Sequence, residues 1–110
     1  MTQYTIVEGD IQYLGFYLKD KDPVTGTITA HTLATANSII FKMWAYGDTI
    51  ATITTLMSTV ATPANTTGYC RVLVTIPAEG DYYSKITVYD GSEKITWLGH
   101  TYKVASQGVL

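Results

Sequence analysis

Two histidines, one cysteine and nine carboxylate side chains are the groups in this sequence most suited to metal binding or acid–base chemistry. His31 and His100 lie in separate segments without metal-ligand spacing, and a neutral histidine supplies only one of the three or four ligands that a zinc site needs. Cys70 alternates with Val72 and Val74, which reads as a small hydrophobe on a core-facing row; a nucleophile there would need a base and an electropositive setting. Asp20 and Asp22, followed by Gly26, hint at a calcium loop, but the further oxygen ligands and the closing glutamate are missing, so the segment reads as a turn. Glu79 and Asp81 flank Gly80 and read as solvated hairpin acids, because paired-carboxylate chemistry needs a cleft. Asn65-Thr66-Thr67 matches a glycosylation acceptor and, without a visible signal peptide, reads as a chance match. No phosphate loop or nucleophile motif is present. The expectation is a non-enzyme with no catalytic residue, no metal and no cofactor.

The residues that would have to position any site form a chain of 110, the size of a single domain spanning 1–110. Hydrophobic residues at 46% and charged residues at 15% exclude a disordered chain. Seven basic against nine acidic residues give a formal charge of -2, which argues against a nucleic-acid partner, since such a partner needs clustered positive charge. No apolar run approaches the roughly 18 residues of a membrane span. No membrane partner is expected, and the protein reads as made in the cytoplasm without a signal peptide.

Threonine, tyrosine, valine and isoleucine dominate, and their branched or flat side chains suit a pleated surface. The spacing predicts strands over Tyr4–Val7, Ile11–Lys19, Ser38–Ala45, Asp81–Tyr89 and about Lys94–Val104, with one more along the Cys70–Ile76 row. A weak strand is expected over Thr27–His31, one or two Thr-rich strands over Thr49–Val60, and loops at Thr32–Ser38 and Pro63–Gly68. Leu14, Phe16 and Leu18 form one inward row; Ile39, Phe41 and Met43 another; Cys70, Val72, Val74 and Ile76 a third; Tyr82, Ser84, Ile86 and Val88 a fourth. About seven short strands without helices predict an all-β fold, an antiparallel β-sandwich or small barrel.

The order of signals is familiar. Gly9-Asp10 precedes an alternating strand that ends in the turn Asp20–Gly26. Leu33 and Ala36 lead into Ser38-Ile-Ile-Phe-Lys-Met43; then come Ile76–Tyr89 and a closing Gly99–Val104. Between about Thr5 and Val104 this resembles the immunoglobulin-like N-terminal domain of phage baseplate upper proteins and related modules of phage virions. Those proteins continue into a part that carries receptor-binding proteins, whereas this sequence ends at Leu110. The resemblance implies an immunoglobulin-like sandwich in a virion, in capsid decoration, neck or tail/baseplate accessory position, and supplies no catalytic residue.

Period-two alternation then assigns an outer row. With Phe41 and Ile86 inward, Ile40, Trp44, Tyr83 and Tyr89 turn outward; with Tyr102 and Val104 inward, Ile95 and Trp97 also turn outward unless a bulge at Gly99 reverses them. Exposed aromatic clusters of this kind mark interfaces. The expected task is binding other virion proteins or further copies of the chain, probed first at Trp44. The alternative is a carbohydrate- or receptor-binding adhesion module, disfavoured because Met43, Ala45, Thr96 and Leu98 flank the two tryptophans. Tyr82, two residues past Gly80, is expected to turn its ring inward and bond backbone with its hydroxyl.

Overall fold

A computed structural model of the chain describes residues 3–31, 33, 36, 38–56, 58–59 and 68–106. These residues form strands β1 (Gln3–Val7), β2 (Ile11–Tyr17), β3 (Lys19–Lys21), β4 (Ile28–Ala30), β5 (Ser38–Ala45), β6 (Ile53–Leu56), β7 (Ser58–Thr59), β8 (Tyr69–Thr75), β9 (Gly80–Asp90) and β10 (Glu93–Ala105). No helix occurs among the described residues. A five-stranded sheet runs in the order β1-β10-β9-β5-β6, a three-stranded sheet in the order β2-β8-β7, and β3 and β4 form a separate hairpin. Every pairing is antiparallel except β1 with β10. The expected loop at Pro63–Gly68 lies outside the described residues apart from Gly68, and the turn at Thr32–Ser38 is described only at Leu33, Ala36 and Ser38.

The two larger sheets face one another across a single core, a sandwich-like all-β arrangement. Leu14, Phe16, Cys70, Val72 and Val74 come from one sheet; Ile39, Phe41, Met43, Ile86, Val88 and Val104 come from the other. The rings of Phe16 and Phe41 meet across the interior at 5.7 Å. All four inward rows expected from alternation are buried. Each fully buried side chain of this size contributes about 1.5–3 kcal/mol relative to exposure. Tyr82 also behaves as expected: its ring is buried and its hydroxyl donates to the Ala78 carbonyl at 2.7 Å, which ties the turn before β9 to the strand itself.

On β10 the alternation breaks. Leu98 stands opposite Lys85 but Thr101 stands opposite Tyr83, so three steps on β10 match two on β9. The extra residue is a bulge at Gly99 and His100, and it inverts which side chains face the core. Glycine is required by close approach: a Cβ at position 99 would strike Ser84 Oγ and stand 2.9 Å from Ile86 Cδ1. Ser84, itself buried, spends its hydroxyl on the His100 carbonyl at 2.8 Å and so fixes the bulge from the neighbouring strand.

The β3–β4 hairpin uses the acids that hinted at a calcium loop. Asp22 accepts from the Val24 and Thr25 amides at 2.8 and 3.3 Å, and these bonds hold its carboxyl below the usual carboxylate range. Its oxygens thus serve the turn. Asp20 meets His31 Nδ1 at 2.7 Å across the base of the hairpin.

Candidate functional site: the outer face of the five-stranded sheet

The register of β5 on β9 fixes what stands on the outer face. Trp44 is paired with Tyr83, Lys42 with Lys85, Ile40 with Thr87 and Ser38 with Tyr89. The first section of β10 adds Lys94 opposite Tyr89 and Thr96 opposite Thr87. Cross-strand neighbours on one face are close enough to interact. Trp44 and Tyr83 are stacked at 5.2 Å and 9°, and Tyr46, beyond the end of β5, approaches Tyr83 at 5.5 Å. Lys85 Nζ lies 5.6 Å from the centre of the Trp44 ring, and Lys94 Nζ lies 5.9 Å from that of Tyr89. The Thr87 and Thr96 hydroxyls meet at 3.1 Å. The two threonines line a shallow groove of about 190 Å³ with Ile40, Trp44, Tyr89 and the lysines Lys42, Lys85 and Lys94.

Four of the expected outer residues therefore share this face: Ile40, Trp44, Tyr83 and Tyr89, each half-buried. Two do not. Trp97 stands opposite Ile86 and Ile95 opposite Val88, so both point to the core side of the sheet. The Gly99 bulge is the reason, because it reverses the parity counted back from Tyr102. Trp97 packs against the core, its Nε1 donates to the Lys19 carbonyl at 3.0 Å and its ring meets His31 edge-on at 4.9 Å. It anchors the β3–β4 hairpin.

The other chemically capable side chains are absorbed locally. The His100 ring stacks on Phe16 at 4.9 Å and meets Tyr4 edge-on at 4.8 Å, and burial holds its imidazole below the usual histidine value. Cys70 is fully buried, with Sγ 3.8 Å from the Phe16 carbonyl, and burial pushes its thiol up to about 12. Among the described residues no three of His, Cys, Asp and Glu gather in a metal-holding group. Glu79 donates its amide to Glu8 at 3.0 Å on the turns at one end of the molecule. Asn65 lies outside the described residues.

The lysines are the part of this face that the sequence reading missed. Lys42, Lys85, Lys94 and Lys103 all stand on its outer side, four of the seven basic residues, so a balanced total conceals a one-sided distribution. The signal was present as parity: Lys42 lies in the row of Ile40 and Trp44, and Lys85 in that of Tyr83 and Tyr89. What alternation could not supply was the register that sets Lys42 directly opposite Lys85.

No family model matches the chain. No curated protein matches it either.

Proposed function

We propose that this chain is an immunoglobulin-like, non-enzymatic structural module of a phage particle that holds another virion protein, or a further copy of itself, against the outer face of its five-stranded sheet. The strand order supports the fold half of this reading. β2, β8 and β7 correspond to the B, E and D strands of such sandwiches, and β5, β9 and β10 to C, F and G, with β6 beside C and β1 carried over to G. Tyr82 supports it further, since its hydroxyl bond to Ala78 at the turn before β9 has the form of the tyrosine corner of that fold. The virion setting rests on the resemblance in sequence to phage modules.

The observation that carries the binding role is the stacked Trp44–Tyr83 pair on a sheet face that no other described strand covers. Large rings held on paired strands lose little freedom on binding, so their burial translates into affinity. A sugar-binding role has less support, because the described residues lining the groove beside these rings include no carboxylate, amide or guanidinium side chain to grip hydroxyl groups. The test is incorporation. Mass spectrometry of purified particles from the source of the gene should find the chain in stoichiometric amounts, and Trp44→Glu should fold normally yet be missing from them. Its absence from wild-type particles, or normal incorporation of the variant, overturns the reading; saturable binding on a glycan array would favour the adhesion module.

A further inference from the structure

Lys42 and Lys85 stand directly opposite one another on adjacent strands, an arrangement that works against the isolated sheet. Lys94 lies on the next strand and lines the same groove. Among the described residues none of the three is paired with a carboxylate; Lys85 and Lys94 lie instead over the Trp44 and Tyr89 rings. Unneutralised like charges gathered on aromatic supports call for an anionic partner. A long polyanion suits the molecule poorly: Asp81 lies on this face, the acidic turn of Asp48 adjoins its edge and would repel a chain running past it, and the molecule as a whole is negative. A compact acidic surface fits better, and the chain has one. Asp10, Asp48 and Glu79 are exposed on the turns next to the start of β9 and the end of β1, where Glu8 accepts the Glu79 amide.

We infer that the lysine face of one copy seats the acidic end of a second, so that copies join head to tail. This rests on the proposed interface role of the outer face and names its occupant. A face-to-face dimer is the competing geometry, and it would bring Lys42, Lys85 and Lys94 against their own counterparts. A contact between two different patches leaves one of each free and extends into rings or filaments.

Sedimentation of the full chain tests this. At low ionic strength the wild-type chain should form concentration-dependent oligomers that dissociate in about 0.5 M salt, where exposed charges are screened beyond a few ångströms. Lys42→Glu/Lys85→Glu and Asp48→Lys/Glu79→Lys should each be monomeric, and an equimolar mixture should associate again into mixed oligomers, since one variant retains the acidic end, the other retains the lysine face, and the reversed patches also carry opposite charge. Lys42→Gln/Lys85→Gln, also monomeric, covers the case in which charge reversal prevents folding. A wild-type chain that stays monomeric, oligomers indifferent to salt, or variants that pair only with themselves overturn the inference; so does a monomer that instead binds heparin. None of those results touches the proposed interface role, which stands or falls on particle incorporation of Trp44→Glu.

Discussion

The inner and outer rows of the five-stranded sheet are both rich in aromatic rings, yet they solve different problems. Inward, Phe41, Tyr82 and Tyr102 lie in the hydrophobic core, and Ser84, the one buried polar side chain among the described residues, has its carbonyl partner. Outward, Trp44, Tyr83 and Tyr89 sit among lysines and hydroxyls. Aromatic content does not separate a core from an outer face. The company the rings keep does, because a core excludes unpaired charge whereas a solvent-facing row can hold it, as the proposed interface requires.

Substitutions on the two rows should separate them. Phe41 is wholly inaccessible, so Phe41→Ala should lower unfolding free energy by about 3–5 kcal/mol, while Trp44→Ala on the same strand costs about 1 kcal/mol or less. Chemical denaturation of both variants checks this, and equal losses would mean that the outer row belongs to the core. Next in size is Gly99→Ala. The added methyl must displace Ser84 and Ile86, which should cost about 1–3 kcal/mol by the same measurement. A neutral result would show that the bulge does not pin the strand. Tyr82→Phe should cost about 1 kcal/mol, the worth of its bond to Ala78, with the ring still in place.

The smallest effect is on pH dependence. Burial depresses the His100 pKa from its ordinary 6.5, so the folded protein takes up this proton less readily than the unfolded chain. Stability from this group is complete above 6.5 and declines as pH falls from there through the depressed value. Thermal melts between pH 7 and 5 should show the decline, and His100→Phe should flatten it; an identical slope in the variant would assign the effect elsewhere.

These contrasts also mark how far the sequence could be read. On β5, β8 and β9 the alternation is unbroken, and rows such as Cys70-Val72-Val74 declare their inward face from residue type alone. On β10 the same rule gives the right face for Tyr102 and Val104 and the wrong one for Trp97, because one extra residue resets the parity and a lone glycine is its only local sign. The hairpin at Asp22 was legible as a turn, but its docking beneath Trp97 was not, since that bond joins residues 78 positions apart. The lysine face failed to show for a related reason. Three residues from three strands become neighbours only through register, and composition averages them against acids at the far ends of the molecule.

Cys70 gives the molecule a built-in clock. It is the only cysteine in the chain, it lies between the two sheets, and its thiol stays protonated far above neutral pH. Alkylating reagents attack the thiolate, so labelling must wait until the sheets part. The labelling rate at neutral pH therefore reads the opening equilibrium of the whole sandwich without any engineered probe. A partner seated on the outer face, well away from the sulfur, would announce itself by slowing that reaction in proportion to its occupancy.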